Sequence, residues 1–392
     1  MIRYPYLIVG GGLAAHAAIG GIRQNDSSAG IGILSDEQYP PYNRPPLSKA
    51  LWKGDPFESV WRKINTDKVV LHQSRSAVAL NPENKTVTDN EGEIYAYEKL
   101  LLATGVRVRK LPIAVEGLLY YRTLDDYQRL RLMTEQYESF VVIGGGFIGS
   151  EIAAALAMNH KTVTMIFPEA TIGSRVYPPA LAQFLNGYYS SKGVRMLGNE
   201  NIVDIRKHGA RYMLFTASGK RVECDGVIAG IGVQPNQELA GSAGLQTDVG
   251  ILVDDFLRTS HPDIFAAGDV AKFYNKSLDR RMRVEHEDNA KIQGEIAGKN
   301  MAGGQEPYHH FPFFYSDLFE LGYEAVGELN PKNETIEDWR DPFHEGVVYY
   351  IDAGRVRGVL LWNTWGQVDA ARALIMETGA HTVRNLIKRL PA

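Results

Sequence analysis

Cysteine is almost absent from this sequence, in which Cys224 is the single example among 392 residues. A lone thiol cannot form a disulfide within the chain, and it cannot alternate between dithiol and disulfide during a reaction. We expect Cys224 to be a small packing residue in a protein of the reducing cytoplasm. Sets of cysteine and histidine with the spacing of zinc, haem or iron–sulfur ligands are also lacking, so no metal site is expected.

The sequence also lacks a strong net charge and a long uninterrupted apolar run. The formal net charge is −4, which argues against a general nucleic-acid-binding protein. The most apolar stretch, residues 140–158, approaches the length of a membrane span, but it contains Glu151 and a glycine triplet. We interpret it as a buried strand followed by a helix, and we expect no membrane association. The first residues lead straight into a strand pattern, so no targeting segment is expected.

Glycine is concentrated in two loops, at residues 10–15 and 144–149, and each follows an apolar run. Both patterns predict a strand, a tight glycine turn that lets the backbone approach a pyrophosphate, and a helix. The last position of the loop must be small so that the helix packs on the strand, and Ala15 satisfies this as Gly149 does. Two such loops indicate two dinucleotides in one protein, as in an enzyme that passes electrons from a nicotinamide to a flavin. The loop residues expected to bind are Gly10, Gly12 and Ala15 in the first loop and Gly144, Gly146 and Gly149 in the second.

Two acidic residues follow apolar runs at positions typical of nucleotide contacts. Asp36 comes after the run 31–34, where a carboxylate can accept hydrogen bonds from ribose hydroxyls; an exposed turn acid is the alternative. Asp269 follows Gly268 after the run 263–267, and it is expected to cap a following helix or to bind the ribityl chain of a flavin. With the turn at 103–105, the further residues expected to contact FAD are Ala103, Gly105, Gly268 and Asp269.

The order of these patterns predicts an α/β protein with two Rossmann-type dinucleotide-binding domains and a small C-terminal α+β domain. The NAD(H)-binding domain, residues 111–244, is expected to be inserted into the FAD-binding domain, which takes 1–110 and 245–309. The C-terminal domain takes 310–392. Prolines exclude a regular helix or central strand from 35–62. Strands are expected at 69–80, 85–97, 99–105, 162–167, 194–197, 211–215 and 227–233, helices at 124–135, 178–192 and 285–301, and a hairpin turn at 352–354.

The segment PYNRPPLSK at residues 41–49 resembles a signature of FAD-dependent ferredoxin and rubredoxin reductases and of apoptosis-inducing factor. The resemblance covers essentially the whole chain. Apoptosis-inducing factor is nearest in character, although its targeting segment and its long C-terminal insertion have no counterpart here. Further matching motifs lie at 144–151, 167–169, 265–269, 283–286, 315–317, 322–325 and 359–363.

The resemblance implies that Lys49 lies beside the flavin and pairs with Glu151. A fixed cation near the isoalloxazine favours electron uptake, and a buried lysine needs a carboxylate partner because an unpaired buried charge is costly. The alternative is that Glu151 is only a residue of its helix. Arg44 is implied to contact FAD, and a solvated loop arginine is the alternative. Tyr315 stands where relatives usually have a tryptophan over the flavin, so an aromatic wall is kept while the contact with an electron acceptor changes.

The resemblance also implies contacts with the nicotinamide coenzyme. Glu169 is expected to bind the adenosine ribose, and an acid there repels a 2′-phosphate, so NADH is favoured over NADPH. Arg175 opposes this preference because arginine can accept that phosphate. Phe147 either gates nicotinamide stacking or is an ordinary core aromatic. The remaining residues assigned to NAD(H) are Gly232, His286 and Glu324, of which the last two are alternatively surface polar residues.

These features predict an FAD-dependent NADH oxidoreductase that passes electrons to a small iron–sulfur or rubredoxin-type acceptor. A disulfide reductase of this fold is excluded, because it needs a cysteine pair beside the flavin. One alternative is a redox-responsive NADH-binding protein, similar to apoptosis-inducing factor, with slow oxidase activity and a stable charge-transfer complex. Another is a reductase of quinones, oxygen or small organic acceptors. A homodimer is left open. Because a ferredoxin-type partner is acidic, a basic patch is expected from Arg44, Arg107, Arg109 and Lys110.

Overall fold

The computed structural model describes residues 1–64 and 67–390. Residues 65–66 of the predicted FAD-binding domain and 391–392 of the predicted C-terminal domain lie outside the described residues. Contacts group the chain into two units. Unit 1 contains Met1–Asn43, Glu58–Arg107 and Gln234–Phe313, and unit 2 contains Arg44–Phe57, Val108–Val233 and Phe314–Ala392. The predicted domain limits remain a prediction.

The described residues form strands and helices in the alternating order that was expected for a nucleotide-binding α/β protein. The strands are β1 Ile2–Val9, β2 Ile31–Leu34, β3 Val69–His72, β4 Ala77–Asn81, β5 Thr86–Asp89, β6 Ile94–Leu102, β7 Val106–Val108, β8 Leu119–Tyr120, β9 Ser139–Ile143, β10 Thr162–Ile166, β11 Arg195–Leu197, β12 Ile202–His208, β13 Arg211–Thr216, β14 Arg221–Cys224, β15 Gly226–Ala229, β16 Val233–Pro235, β17 Ile251–Leu252, β18 Ile264–Ala266, β19 Ala271–Asn275, β20 Arg280–Met282, β21 Phe313–Leu318, β22 Leu321–Gly327, β23 Glu334–Asp341, β24 Glu345–Asp352 and β25 Arg355–Trp362. The helices are α1 Leu13–Asn25, α2 Leu124–Gln136, α3 Phe147–Met158, α4 Pro179–Ser191, α5 Glu238–Ser242, α6 Glu287–Met301, α7 Val368–Met376 and α8 Val383–Leu386, and short 3₁₀ turns cover Pro45–Ser48, Ala50–Trp52, Phe57–Val60 and Gly268–Val270.

The main sheet of unit 1 has the strand order β3-β2-β1-β6-β5-β4, with β18 paired to β6 beyond that path. Strands β1, β2, β3, β6 and β18 pair in parallel. All four residues of β2 are buried, as are the last three residues of β6. Parallel strands that are apolar on both faces need cover on both faces. This sheet therefore carries the core of unit 1 and brings the carboxyl ends of β1, β2 and β6 to one edge.

Helices α1 and α6 of unit 1 pack almost backbone to backbone. A Cβ built on Gly294 or Gly298 of α6 would overlap a carbonyl oxygen of α1, at Ala14 and Ala18 respectively. In the other direction, a Cβ on Gly21 would overlap the carbonyl oxygen of Glu295. Small residues at these positions are required because protein interiors have no room for additional atoms. The close contact fixes α1, whose N-terminus follows the first glycine loop.

The sheet of unit 2 that corresponds to the second Rossmann motif has the order β11-β10-β9-β15-β8 and is parallel throughout. Residues 140–158 form β9 and α3 within it, as interpreted from the sequence. Among the described residues, no helix combines the length and the apolar composition that crossing a bilayer requires. An antiparallel sheet, β12-β13-β14, adds to this part of unit 2.

The C-terminal part of unit 2 is a five-stranded sheet of order β21-β22-β25-β24-β23, with α7 packed on β22 and β25. Tyr323 and Trp362 are opposite each other across β22 and β25, and their rings stack with centroids 5.7 Å apart. Both side chains are fully buried, so this aromatic pair forms the centre of the sheet's core. The expected fold class, two Rossmann-type motifs with a C-terminal α+β domain, is confirmed.

Several predicted strands are longer than the strands that form. The predicted strand 69–80 is wrong, because the chain breaks at Ser74, which has a left-handed φ of 55°. Strand β3 before the break pairs in parallel with β2, whereas β4 after it is antiparallel to β5. The predicted strand 85–97 is likewise divided by a turn between β5 and β6, and β6 absorbs most of the separate strand predicted at 99–105.

Two further corrections concern the edges of the nucleotide-binding motifs. The strand predicted at 227–233 ends at Ala229, and glycines separate it from β16. Asp269 does not head a helix, since a 3₁₀ turn over Gly268–Val270 leads directly into β19. Helix α6 starts only at Glu287, with His286 at its N-cap position. The helices predicted at 124–135, 178–192 and 285–301 are confirmed as α2, α4 and α6.

Neighbouring glycines in α1 provide a test of the α1–α6 contact. Gly21→Ala is expected to lower stability by about 1–3 kcal/mol, because its Cβ would overlap the backbone of α6. Gly20→Ala is the matched control: Gly20 is exposed in the same helix with no atom near its Cβ position, and alanine there should stabilise by about 0.5–1 kcal/mol. Thermal unfolding temperatures measure both variants. Shifts of the same sign would contradict the packing described here.

Candidate functional site

The first glycine loop lies at the carboxyl edge of the unit 1 sheet. Gly10 has a φ of 118°, in the left-handed region, and a Cβ there would overlap the carbonyl oxygen of Ala103 at the end of β6. A Cβ on Gly11 would overlap the side chain of Ser35, which directly follows β2. A residue with a side chain therefore does not fit at Gly10 or Gly11 without movement of the loop. The loop backbone is held against the ends of three parallel strands.

The N-terminus of α1 is arranged to receive an anion. Gly12 is its N-cap, no side chain caps the helix, and its first turn contains no acidic residue. Helix α2 differs, because Thr123 and Asp126 form a capping box that satisfies its first amides. Amides without intrahelical partners and the helix dipole together favour a phosphate group at α1. No atom lies within 4 Å of a Cβ built on Gly12, so the space in front of the helix is open.

The other residues of unit 1 assigned to FAD lie near this loop or at the same edge of the sheet. The backbone N–H of Gly268 donates to Gln293 Oε1 at 2.9 Å, and a Cβ on Gly268 would lie 3.1 Å from Ala14 of α1. Gln293 is fully buried, yet its Nε2 has no hydrogen-bond partner within the described ranges. Asp36 is exposed just beyond β2. The open helix end fits an anionic ligand, and the unpaired buried amide fits a polar one.

Unit 2 repeats the same construction around the second glycine loop. Gly144 has a φ of 109°, and a Cβ there would overlap the carbonyl oxygen of Gly230, which follows β15. Gly146 is the N-cap of α3, again with no capping side chain and no acid in the first turn. A Cβ on Gly149 would overlap the carbonyl oxygen of Gly144, so the third loop position must be glycine here. The second loop therefore also offers amides to an anion.

A buried carboxylate lies one turn into α3. Glu151 is only 3% exposed, and three donors surround it. Lys49 Nζ lies 2.7 Å from Oε2, the hydroxyl of Ser48 donates to the same oxygen at 2.6 Å, and the hydroxyl of Ser316 donates to Oε1 at 2.6 Å. Lys49 is itself only 11% exposed. The expected pairing is thus present, and the role of the two residues at a flavin remains a proposal.

The environment of this pair explains why it is stable in a buried position. Desolvation of both charges is costly, and the attraction compensates for it only when the remaining hydrogen-bonding sites are satisfied. The two serine hydroxyls supply these bonds to Glu151. The ring of Tyr315 lies 5.3 Å from Lys49 Nζ, in the geometry of a cation–π contact. Lys49 is therefore a fixed cation rather than a mobile surface charge.

The segment that carries Lys49 is held by hydrogen bonds within unit 2. Trp52 donates its indole N–H to the carbonyl of Leu47 at 2.7 Å, and the hydroxyl of Tyr121 donates to the same carbonyl. Asn159, at the end of α3, donates to the carbonyl of Trp52 at 3.2 Å. The prolines of this segment prevent a regular helix, as the sequence predicts, and the chain forms two short 3₁₀ turns around Lys49 instead. These contacts set the backbone position of the lysine.

Aromatic rings flank the pair in unit 2. Phe147, the first residue of α3, is 37% exposed, and its ring packs 5.6 Å from that of Phe314. Tyr315 is 36% exposed on the adjacent strand β21. The exposure of Phe147 differs from that of an interior core ring. Its role as a gate for nicotinamide stacking remains a prediction.

The remaining predicted residues of unit 2 lie in defined positions. Arg44 donates to the carbonyl of Arg122 at 3.3 Å, and Glu169 pairs with Arg175 at 2.7 Å beyond the end of β10. Gly232 accepts from the backbone N–H of Arg109 at 2.9 Å.

On β22, Glu324 accepts from the backbone N–H of Gly366 at 3.0 Å. None of these contacts tests the expected cofactor roles, which remain predictions.

Ser48 and Ser316, the two serines that bind Glu151, were not predicted to have a role. Both belong to motifs that carry the family resemblance, at 41–49 and 315–317, and a hydroxyl next to the predicted lysine is the signal that was available. The side chain of Gln293, which binds the Gly-Asp turn, was also missed. Its signal is weak, since a glutamine within a helix pattern is more often a solvated surface residue than a buried one.

The positions of the described side chains do not favour thiol chemistry or a metal site. Cys224 is buried, and burial raises the pKa of its thiol to about 12, so it stays protonated at neutral pH. Across residues 1–64 and 67–390, no three histidine, cysteine or carboxylate side chains are grouped so that they could hold a metal ion.

Comparison with known proteins identifies the family. The family model described as pyridine nucleotide-disulphide oxidoreductase matches residues 4–294, which is more than half of the chain. The chain belongs to this family. Family membership implies FAD and NAD(H) as cofactors, and the two glycine loops with open helix N-termini fit such ligands. The disulphide in the family's description has no counterpart in this chain, which has one cysteine.

Similar proteins include reductases of electron carriers and an apoptosis-inducing factor. Rubredoxin-NAD(+) reductase of Pseudomonas putida is 33% identical, with 84% of this chain and 90% of that protein covered. Apoptosis-inducing factor 1, mitochondrial, of Dictyostelium discoideum is 33% identical, with 96% and 79% covered. Among solved structures, the covalent putidaredoxin reductase–putidaredoxin complex matches with a TM-score of 0.89, at 30% identity and with 96% and 94% of the two chains covered. A second family model, apoptosis-inducing factor, mitochondrion-associated, C-term, matches residues 297–340.

A double-mutant cycle tests the energetic dependence of Glu151 on Lys49. Lys49→Met is expected to destabilise the protein by about 3 kcal/mol, because it leaves a buried carboxylate without its cation. Adding Glu151→Gln removes that charge, so the double variant should be more stable than Lys49→Met alone. Lys53→Met, which breaks a more exposed ion pair with Asp317, is the control and should cost less than about 1 kcal/mol. Thermal unfolding ranks the variants, and a double variant less stable than Lys49→Met would contradict the coupling.

Proposed function

We propose that this protein is an FAD-dependent NADH oxidoreductase that passes electrons to a small ferredoxin- or rubredoxin-type carrier. The observation that carries the proposal is the buried Lys49–Glu151 ion pair, one turn after the second glycine loop. The pair keeps a positive charge in one largely buried position, and a fixed charge of this kind can stabilise a negative charge that develops nearby. The glycine loops of the two units support the proposal by offering two separate dinucleotide sites.

The residues of the chain have distinct roles in this proposal. FAD, when bound, supplies the redox chemistry, which no side chain of this protein can perform. Gly10 and Gly12 allow the loop backbone and the first amides of α1 to approach a pyrophosphate. Lys49 provides a fixed positive charge that favours electron uptake nearby, and Glu151 keeps that charge in one position. Tyr315 shields the lysine and reduces its contact with water.

The preference for NADH over NADPH is part of the proposal. Glu169 follows β10 at the position where an acid binds ribose hydroxyls and repels a 2′-phosphate. The carboxylate of Glu169 accepts a hydrogen bond from Arg175. The positive charge of Arg175 is therefore already paired with Glu169, the acid that repels a 2′-phosphate. An arginine that is paired in this way is a weaker phosphate site than a free one. The balance of charge at the end of β10 therefore favours NADH.

The electron acceptor is inferred from relatives and from charge. The names of the relatives include rubredoxin and putidaredoxin as partners, and electron carriers of this kind are acidic. Of the expected basic residues, Arg107 pairs with Glu238 at 2.9 Å in unit 1 and is largely compensated. Arg109 and Lys110 are exposed in unit 2, and within the described part of the chain neither is ion-paired. We assign the attraction of an acidic carrier mainly to Arg109 and Lys110.

A redox-responsive NADH-binding protein is the second candidate. The observation in its favour is the match of residues 297–340 to the C-terminal model of apoptosis-inducing factor. In that case reduction by NADH is slow, and a stable charge-transfer complex accumulates. A reductase of small organic acceptors is a third outcome, since monodehydroascorbate reductase 3 of Arabidopsis thaliana is 30% identical. Rates of reduction and of reoxidation by each acceptor class separate these three.

Substitution of Lys49 tests the proposed function. Lys49→Ala should slow reduction of the bound cofactor by NADH at least about tenfold, because a fixed cation that stabilises the developing charge is lost. FAD should stay bound, since the loop of unit 1 does not use this lysine. The measurement is anaerobic rapid mixing with NADH, and Lys53→Ala in the same segment is the control that should retain the rate. Equal rates for Lys49→Ala and the unsubstituted protein would refute the role.

Substitution of Glu169 tests the coenzyme preference. Glu169→Gln removes the negative charge while keeping the size of the side chain and releases Arg175 from its ion pair. The ratio of kcat/KM for NADPH to that for NADH is expected to rise about tenfold, through weaker repulsion and a freed arginine. Glu223→Gln, an exposed acid on β14, is the control and should leave the ratio unchanged. A ratio that stays constant in Glu169→Gln would show that this acid does not select the coenzyme.

A further inference from the structure

The carboxylate of Glu151 joins three segments that are distant in sequence. Ser48 and Lys49 come from the 3₁₀ turns, Glu151 from α3, and Ser316 from β21 of the C-terminal sheet. All three segments belong to unit 2. A single buried group therefore connects the C-terminal sheet to the lysine that the proposed function places beside the cofactor.

The two oxygens of Glu151 are satisfied differently. Oε2 accepts from Ser48 and from Lys49, whereas the hydroxyl of Ser316 is the one donor to Oε1 within the described residues. Ser316 is 1% exposed, so water cannot easily replace its hydroxyl. Loss of this donor would leave a buried anionic oxygen unsatisfied, and the carboxylate would gain freedom to rotate. Rotation moves Oε2, and with it the position of Lys49.

Strand β21 contacts both members of the ion pair through consecutive residues. Consecutive side chains of a strand project to opposite faces, yet both reach the ion pair: Ser316 donates to the buried anion, and the ring of Tyr315 lies 5.3 Å from the ammonium of Lys49. The alternation of half-exposed, buried and intermediate positions at 315–317 agrees with this arrangement. The strand is thus in register to hold the carboxylate and the ammonium at once.

The remaining polar groups near Glu151 do not replace the serine. Tyr177 and Tyr323 are fully or nearly buried beside it, and burial raises the pKa of both phenols well above the ordinary value. Both phenols therefore keep their protons, but among the described residues the donors to the Glu151 carboxylate are Ser48, Lys49 and Ser316, and neither phenol is one of them. The charge of Glu151 is consequently balanced by Lys49 and oriented by the serines.

We propose that Ser316 is a positioning residue, which orients the Glu151 carboxylate so that Lys49 is held as a fixed cation, and that the C-terminal sheet thereby tunes how readily the bound cofactor is reduced. The inference rests on the proposed function, because it assigns Lys49 to the cofactor. Ser48 contributes less to this orientation, because it shares its acceptor, Glu151 Oε2, with Lys49. Without Ser48, that oxygen would still be bound by Lys49. The C-terminal sheet is in this way a component of the proposed redox site.

The test compares Ser316→Ala with Ser316→Thr in the FAD-loaded full chain. Ser316→Ala should shift the midpoint potential of the bound flavin to more negative values and slow its reduction by NADH about tenfold, the effect expected from one hydrogen bond to a charged group. The KM for NADH should stay within about twofold, as no coenzyme contact is altered. Ser316→Thr retains a hydroxyl and should restore both the potential and the rate. Ser316→Cys, a weaker donor, should lie between them.

Ser218→Ala is the matched structural control. The hydroxyl of Ser218 donates to Oε1 of buried Glu200 at 2.6 Å, and Lys220 Nζ lies 2.7 Å from the same oxygen, so a serine and a lysine bind a buried carboxylate in a different cluster from Lys49. Ser218→Ala should lower the thermal unfolding temperature and leave the flavin potential unchanged. Infrared difference spectra of the carboxylate stretch, with ¹³C-labelled glutamate, should change in Ser316→Ala whether or not the protein turns over.

The outcomes separate this inference from the proposed function. A protein that binds no FAD, or whose FAD is not reduced by NADH, would overturn both. Normal reduction of the unsubstituted protein together with an unchanged potential in Ser316→Ala would overturn the inference alone. A potential that shifts equally in Ser316→Thr and Ser316→Ala would also overturn it, because the hydroxyl would then be irrelevant. If Ser316→Ala does not fold, the order of Ser316→Thr and Ser316→Cys decides.

Discussion

An ion pair buried in unit 2 constrains three separate parts of the chain. Glu151 on α3 and Lys49 in the proline-rich segment each depend on the other, because an unpaired buried charge would strongly destabilise the folded protein. Their pairing requires that segment to pass close to α3, and Trp52, Tyr121 and Asn159 supply the hydrogen bonds that hold it there. Ser316 extends the same constraint to the C-terminal sheet.

The two glycine loops have the same backbone arrangement, although they lie in different units of the chain. In each, the first glycine adopts a left-handed φ and lies against a carbonyl oxygen just after the neighbouring parallel strand, Ala103 after β6 in one case and Gly230 after β15 in the other. Each helix then begins at a glycine with no capping side chain. The loops differ at their last position, where Ala15 suffices in α1 and Gly149 is required in α3. Close packing, not the ligand alone, therefore determines which loop residues are small.

The sequence predicts the parallel sheets and the loops, because each depends on local apolar runs or glycine spacing. The Lys49–Glu151 pair was implied by the family resemblance, and a lone acid within an apolar helix agreed with it. Strand limits were less accurate, since a break at Ser74 depends on which neighbours β3 and β4 pair with, and pairing is not a local property. The wrong helix after Asp269 has the same origin, as a Gly-Asp turn precedes a strand as readily as a helix. The hydrogen bond from Ser316 to Glu151 could not be predicted from the sequence, because the two residues are far apart in the chain and meet only in the folded protein.

The most direct test of the account is anaerobic rapid mixing of the FAD-loaded protein with NADH, followed by an oxidised ferredoxin or rubredoxin. The account predicts rapid loss of the visible flavin absorption on mixing and rapid recovery when the carrier is added. Failure to bind FAD, or a flavin spectrum that NADH leaves unchanged, would contradict the central claim. Slow loss of absorption with a persistent long-wavelength band and no response to the carrier would contradict the electron-transfer function and favour the redox-responsive alternative.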